Sequence, residues 1–272
     1  MDRRRQRGTE PVRDLCVEFL RTIDSGVAVL QIEKLGHAPQ PPAQRDHVPE
    51  TRFGVWFLNT ETWAIHVLKR AVNDLERLIQ DRRGSYPVIV DVGCGWGRSF
   101  ELLQQRVAPR SLIGIDVSTE MLKAAAAEAG KHGIAVDLRQ ANSASLPLPS
   151  QSVDMVFCHQ TFHHLVDQDG ALSEFHRVLK PGGLLLFAES TKKYIHSWII
   201  RLLFRHPMEV QKTAEEYLAM IRGAGFEIDP QSISYPYLWW SRGDLGMLER
   251  LFRIRPSPKH EETLINVVAR RP

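Results

Sequence analysis

The chain has 272 residues, of which 43% are hydrophobic and 25% are charged, so it can build one folded core with additions. Its formal net charge of +3 is too small to indicate a nucleic-acid partner by itself. The three cysteines, Cys16, Cys94 and Cys158, lack the spacing of metal ligands. We therefore expect no metal site, and a reducing, cytoplasmic location without a signal peptide.

Residues 1–84 precede the first clear strand and are predicted to form an N-terminal tail and a helical cap. Residues 12–23 are amphipathic, and the prolines between residues 39 and 49 are typical of a linker or an ordered loop. A longer helix is predicted from about Thr60 to Asp81, because apolar side chains recur there at helical spacing. These are Trp63, Val67, Leu68, Val72, Leu75 and Leu78.

The most informative stretch is residues 88–97, Val-Ile-Val-Asp-Val-Gly-Cys-Gly-Trp-Gly. An apolar strand leads into a turn with glycines at alternate positions, and a helix is predicted directly after it. Such a turn before a helix N-terminus lets a ligand approach backbone amides closely. The spacing differs from the Gly-x-Gly-x-x-Gly of dinucleotide-binding proteins, because Arg98 stands where the third glycine would be.

Further strands and helices alternate after the turn. The second strand, residues 111–116, ends in Asp116, where a carboxylate can accept hydrogen bonds from both hydroxyls of a ribose. Ser118 is predicted to cap the next helix, which stops at Gly130. The later elements of this run are a strand over 134–139, a strand over 153–158, a helix up to residue 179 and a strand over 184–188.

The run from about residue 86 to residue 190 closely resembles the methyltransferase type-11 domain of class I S-adenosylmethionine-dependent methyltransferases. The matching motifs, in family order, are the glycine turn, Ile115-Asp116 with Ser118, Leu146-Pro147, Asp154-x-Val-Phe, and Arg177-Val178-Leu179-Lys180-Pro181-Gly182-Gly183. The resemblance implies an α/β fold: a Rossmann-like, seven-stranded, mostly parallel sheet with an antiparallel last strand and helices on both faces. An N-terminal helical cap and a lid complete it. Residues 85–190 would be the S-adenosylmethionine-binding core, and 191–272 the lid, the substrate insertions and the last strands.

The resemblance also implies S-adenosylmethionine as the cofactor, held at the glycine turn and at the ends of the neighbouring strands. Asp116 would hold the ribose and Asn142 the adenine edge. Asn142 stands where family members usually have an aspartate, so we expect slightly weaker binding. Phe53, Trp56 and Trp63 are expected to close over the cofactor. The full set of cofactor-binding residues is Asp91, Gly93, Cys94, Gly95, Gly97, Asp116, Val117, Asn142, Ser143 and His159.

Candidate catalytic residues are His163, His164 and Glu189, which follow the fourth and fifth strands. Methyl transfer from a sulfonium depends mostly on positioning, and a base helps when the acceptor must lose a proton. His163 is the first choice for that base, because His164 matches a position that is often histidine in the family. The alternatives stay open: each histidine could be structural, and Glu189 could be a base, a polar substrate contact or a surface residue.

Two insertions after the fifth strand are the best clue to the substrate. Residues 194–204 are apolar but include His196 and Arg201, so a lid, a membrane-surface helix and ordinary core packing all remain open. Residues 235–258 begin with a cluster of aromatic side chains that would line a pocket for a flat or lipophilic acceptor or pack on the core. A helix is predicted near 214–224, a strand near 226–234 and the last strand over 262–270.

The function favoured by these patterns is methyl transfer to the oxygen, nitrogen or carbon of a small, aromatic or lipophilic acceptor. A cofactor-binding protein that no longer transfers methyl, with a regulatory or scaffold role, is the alternative. A nucleic-acid acceptor is not expected, because His159-Gln160-Thr161-Phe162 replaces the Asn/Asp-Pro-Pro-aromatic tetrapeptide of many base methylators. We expect no transmembrane segment. Peripheral membrane contact and a homodimer stay open.

Overall fold

A computed structural model describes residues 51–80, 85–242, 247–254 and 262–272 of the chain. The amphipathic residues 12–23 and the proline-rich residues 39–49 lie outside these ranges. The described residues form one seven-stranded sheet in the order β3-β2-β1-β4-β5-β7-β6. The strands are β1 (Val88–Val92), β2 (Ser111–Asp116), β3 (Val136–Gln140), β4 (Val153–His159), β5 (Leu179–Ser190), β6 (Ile233–Ser234) and β7 (Leu264–Arg270).

The predicted sheet is confirmed: β1 to β5 pair in parallel, and β7 runs antiparallel between β5 and β6. The central strands are buried on both faces, which explains why their sequences are almost continuously apolar. Val92 at the end of β1 pairs with Ile115 of β2 and with Cys158 of β4. The carboxyl ends of these three strands therefore meet at one edge of the sheet.

Helices cover both faces of the sheet, as predicted. One face packs against α6 and α9, and the other packs against α3, α4 and α5. None of the helices in the described residues is long and apolar enough to span a membrane. The helices are α1 (Arg52–Leu58), α2 (Glu61–Trp63), α3 (Lys69–Leu78), α4 (Phe100–Val107), α5 (Thr119–Lys131), α6 (Gln168–Val178), α7 (Lys192–Ile195), α8 (Trp198–Leu203), α9 (Ala214–Gly223) and α10 (Met247–Phe252).

The predicted helix from Thr60 to Asp81 is present but is not uniform. A π-helix, Ala64–Leu68, joins α2 to α3, and α3 ends at Leu78. The buried side chains of α3 pack on the sheet near β5, β6 and β7. This part of residues 1–84 therefore packs in the helical layer over the sheet.

The strand predicted near residues 226–234 is wrong for most of its length. Only Ile233–Ser234 forms a strand, and Glu227 makes a single bridge to Arg270. Between them the Asp229 carboxylate accepts a hydrogen bond from the Gln231 amide at 2.7 Å. Pro230 follows Asp229 and lacks the N–H that a sheet requires, so a 3₁₀ turn interrupts the pairing.

Two short helical segments that are far apart in sequence pack together over the carboxyl edge of the sheet. The Thr51 hydroxyl donates a hydrogen bond to the Leu203 carbonyl at 2.6 Å, and Phe204 packs edge-on against Phe53 and Phe57. Of the second segment, Ile200 is buried. We call residues 51–58 and 192–204 together the helical cover.

Candidate active site

A cavity of about 400 Å³ opens at the edge where β1, β2 and β4 end. Its floor is the glycine turn, and its roof includes Val55 and Leu58 of the helical cover and Trp63 of α2. Phe53 and Trp56, which were expected to close over the cofactor, do not line it, and 62% of Trp56 is exposed. The predicted cofactor residues that line the cavity are Asp91, Gly93, Cys94, Gly95, Asp116, Val117, Asn142, Ser143 and His159.

The three glycines of the turn differ in what surrounds them, although all three have positive φ angles. A Cβ atom on Gly95 would meet nothing within 4 Å, so this glycine faces open space. A Cβ atom on Gly93 would lie 2.1 Å from Thr161 Cγ2, and one on Gly97 would lie 2.5 Å from the Phe100 ring. Gly97, predicted to contact the cofactor, does not line the cavity, because it packs against α4. Gly97 supports the turn on the side that faces α4.

Asp116 connects the glycine turn to the end of β2. Its Oδ2 accepts a hydrogen bond from the Gly95 amide at 3.0 Å, and its Oδ1 accepts one from the Ser118 amide at 2.9 Å. An ionised carboxylate has about four acceptor positions, so this one can also receive hydroxyl donors from a ligand. The position fits the ribose role that the sequence predicts for Asp116.

Asp91 lies at the base of the cavity with only 2% of its surface exposed. Burial raises the pKa of its carboxyl group to about 7; a hydrogen bond from the Ser99 hydroxyl opposes this rise, and nearby Asp116 adds to it. An ammonium group beside Asp91 would favour the ionised form. The site therefore fits a ligand that carries both an amino group and a vicinal diol, as S-adenosylmethionine does.

The Asn142 side chain is partly committed to its own turn. Its Oδ1 accepts a hydrogen bond from the Ala144 amide at 2.9 Å, which is an Asx turn. A carbonyl oxygen has a second lone pair, so the contact predicted with the adenine amino group remains available. Ser143 is buried beside it, and Val117 presents a partly exposed apolar surface to the same cavity.

Glu189 is completely buried, so the surface interpretation is wrong. Its Oε1 accepts hydrogen bonds from the backbone amides of Thr161 and Phe162 at 2.8 and 2.7 Å. Its Oε2 lies 2.6 Å from Nδ1 of His163. Glu189 thus anchors the loop after β4 and orients the His163 ring, and it lines neither the large cavity nor a smaller one of about 70 Å³ next to it.

The other histidines of this region divide between the two cavities. His163 lines the smaller cavity only, whereas His164 lines both. His159 lines the large cavity, and its Nε2 has no hydrogen-bond partner among the described residues. Burial, together with the proximity of His163, lowers the pKa of His159 to about 3. His159 is therefore a neutral ring between Trp63 and Phe157, with a ring nitrogen left for a ligand.

Sequence reasoning missed two residues of the site. Gln160 has a φ of 51°, rare for a residue other than glycine, and lines the large cavity, the smaller one and a third of about 290 Å³. His206, which follows α8, packs against His163 and His164 at ring-centroid distances of 5.1 and 4.9 Å. No local pattern marks Gln160, and His206 is separated in sequence from the rings that it meets.

Residues 235–242, the first of the two described parts of the aromatic insertion, contribute to the third cavity. Tyr235, Leu238 and Trp240 contribute to its wall, opposite Arg70 and Asp74 of α3. Trp240 also lines the smaller cavity, so the insertion and the helical cover meet there. The described residues thus bear out pocket lining for some of these side chains, whereas Trp239 is 47% exposed and neither lines the third cavity nor packs in the core.

Comparisons with known proteins agree with this geometry. Residues 90–187 match the model of a methyltransferase domain. The chain is 32% identical over 164 residues to a malonyl-[acyl-carrier protein] O-methyltransferase of Coxiella burnetii, covering 55% of each chain. It is 31% identical over 163 residues to a ubiquinone biosynthesis O-methyltransferase of Pseudomonas paraeruginosa, covering 55% of this chain and 69% of the relative.

The match thus spans about half the length of the first relative and two thirds of the second. Among solved structures, the [4+2]-cyclase SpnF has a TM-score of 0.56 and 24% identity, with 75% of this chain and 80% of that chain covered, and it shares the fold. The domain match, the second relative and the glycine turn beside Asp116 lead to one conclusion. The chain belongs to the class I S-adenosylmethionine-dependent methyltransferases.

Proposed function

We propose that the chain transfers the methyl group of S-adenosylmethionine to a small, aromatic or lipophilic acceptor. The proposal depends on the contact between Gly95 and Asp116. The Gly95 backbone faces open space and donates a hydrogen bond to the Asp116 carboxylate at the end of β2. Asp91 supplies a second carboxylate at the base of the same cavity. Together they match the ribose diol and the amino group of the donor.

The donor supplies an electrophilic methyl group on a sulfonium when it is bound. The chain contributes position and the exclusion of water. Val55, Leu58 and Trp63 cover the cavity with apolar surface, and the neutral ring of His159 closes its side. Holding two reactants in line can account for about 7–11 kcal/mol of an activation barrier, so such a site needs little further chemistry.

The acceptor is proposed to enter on the side where Gln160 lies between the large cavity and its two neighbours. Trp63, Phe204 and Trp240 line the smaller neighbour, which favours flat or apolar molecules. Some relatives are O-methyltransferases by name and another is a C-methyltransferase, so the proposal covers oxygen and carbon acceptors. The base role of His163 stays a prediction.

The experiment is to incubate the purified chain with methyl-labelled S-adenosylmethionine and a small-molecule extract of its source cell, and to follow labelled product and S-adenosylhomocysteine together. Both are expected to accumulate with the wild-type chain and to be absent with Gly95→Ala. The fold alone does not establish transfer, since a [4+2]-cyclase shares it. Donor binding without any labelled product would favour the regulatory or scaffold alternative instead.

A further inference from the structure

Three histidine rings from two distant parts of the chain meet beside the cofactor cavity. His163 and His164 lie in the 3₁₀ turn after β4, and His206 follows the helical cover. Their ring centroids are 4.2, 4.9 and 5.1 Å apart, and one nitrogen from each ring lies within 4.8 Å of the other two. We propose that His163, His164 and His206 bind a zinc ion.

The spacing of the rings is close to that of a tetrahedral site. Zinc–nitrogen bonds of about 2.0–2.1 Å place the nitrogens about 3.4 Å apart and the ring centres about 5 Å apart. Two of the observed centroid distances, 4.9 and 5.1 Å, match this value, and the third, 4.2 Å, is shorter, so ring rotations are needed to bring the nitrogens together. Imidazole is a preferred ligand of zinc, and three histidines with one open position form a familiar set.

Glu189 supplies the outer partner that a zinc-bound histidine needs. Its Oε2 lies 2.6 Å from Nδ1 of His163, so Nδ1 is engaged by the carboxyl group and Nε2 is the ring nitrogen left for a metal. Histidine ligands commonly donate their other ring nitrogen to a carboxylate in this way. The amides of Thr161 and Phe162 hold Glu189 in turn, so the orientation of the His163 ring is fixed before a metal arrives.

The surroundings also suit an ion with one open position. The cavity of about 70 Å³ that all three rings line has room for a water molecule or a small ligand at the fourth position. His164 also lines the cofactor cavity, so the ion would stand next to the proposed acceptor.

This inference differs from the base role predicted for His163, because a metal would occupy the Nε2 atom that a base needs. It is also independent of methyl transfer. The sequence expectation of no metal site considered only cysteine spacing, which does not report on histidines that meet through the fold.

The test is a titration of the 272-residue chain, freed of its purification tag and of metal, with Co²⁺ as a spectroscopic substitute, followed by displacement with Zn²⁺. We expect one ion per chain with the intense visible absorption of tetrahedral cobalt. His206→Ala should weaken binding at least tenfold, whereas His196→Ala, an exposed histidine of the helical cover, should not. Equal affinity in His206→Ala and wild type, or no stoichiometric binding, would overturn the proposal.

X-ray absorption of the zinc-loaded wild-type chain keeps the test decisive if His206→Ala does not fold. Three imidazole nitrogens at the zinc–nitrogen distance would support the site, and a shell of oxygen or fewer imidazoles would overturn it. Neither measurement uses the methyl donor. A failed methyl-transfer assay and a failed metal titration are therefore separate results.

Discussion

His163 and Glu189 form a buried pair, in which Nδ1 and Oε2 lie 2.6 Å apart and neither side chain is more than 4% exposed. The glutamate also accepts two backbone amides from the loop that carries the histidine. Polar groups buried this deeply are stable only when their hydrogen bonds are satisfied. The pair therefore fixes the loop between β4 and α6, which forms the wall between the cavities.

Removing the carboxyl group of Glu189 should destabilise the whole domain. Glu189→Ala leaves two buried amides and one ring N–H without acceptors, so we expect a loss of about 3–5 kcal/mol in the free energy of unfolding. Glu189→Gln keeps one acceptor oxygen for the amides and should lose about 1–3 kcal/mol. Urea denaturation measures both. Equal and small losses would mean that the loop does not depend on this residue.

Substitution of the turn glycines should separate folding from cofactor binding. Gly95→Ala has space for its Cβ atom, so it should lower the free energy of unfolding by only about 1–2 kcal/mol, because of the left-handed backbone. The new methyl group nevertheless occupies the ligand side of the turn. Gly93→Ala collides with Thr161 and should cost more stability. Thermal melts with and without S-adenosylhomocysteine distinguish the two effects. A Gly95→Ala chain that binds normally would place the cofactor elsewhere.

Asp116 should carry a measurable part of the cofactor affinity. S-Adenosylhomocysteine is expected to raise the melting temperature of the wild-type chain, because it binds the native state. Asp116→Ala should weaken that binding by about 1.5–3 kcal/mol, measured by calorimetry. Asp137→Ala on the neighbouring strand, whose partner is Arg139 at the surface, serves as the control and should not change affinity. Unchanged affinity in Asp116→Ala would mean that the ribose is held by other groups.

The stability effect of Asp91→Asn should depend on pH. In the unfolded chain the carboxyl ionises near pH 4, whereas in the folded chain its pKa is about 7. Between these values the unfolded state releases a proton that the native state keeps, so wild-type stability falls as the pH rises and levels off above 7. Asp91→Asn does not undergo this loss, so its free energy of unfolding should exceed that of the wild type by up to about 4 kcal/mol at pH 8.

Urea denaturation of the ligand-free chain at pH 5 and pH 8 checks the effect of Asp91→Asn. The advantage of the variant should be small at pH 5 and large at pH 8. An advantage that is equal at both pH values would mean that the Asp91 carboxyl is already ionised in the folded chain at pH 5.

The sheet and the glycine turn could be predicted because their signals are local. Five apolar strands, the cap at Ser118 and the acid at Asp116 each depend on residues within a few positions of one another. The short strand β6 could not be predicted as well, since Pro230 and the Asp229 turn interrupt a segment that otherwise has strand character.

Features of the site that depend on long-range packing were harder to predict. A glutamate after an apolar strand is usually near the surface, and only the loop that folds over Glu189 buries it. His206 reaches His163 because the helical cover returns across the sheet edge, which no periodicity shows. The division of the histidines between two cavities likewise follows from the turn at Gln160 and not from the spacing of the residues.

The burial of the Cys94 and Cys158 thiols affects whether the cofactor can alkylate the chain itself. Cys94 lines the cavity that is proposed to hold an electrophilic alkyl donor. Burial, with Asp91 and Asp116 nearby, raises the pKa of Cys94 well above its ordinary value, and burial with Glu189 nearby does the same for Cys158. Only a thiolate is a competent sulfur nucleophile, so both groups remain unreactive at neutral pH. The folded chain is therefore expected to hold an alkylating donor in this cavity without methylating Cys94.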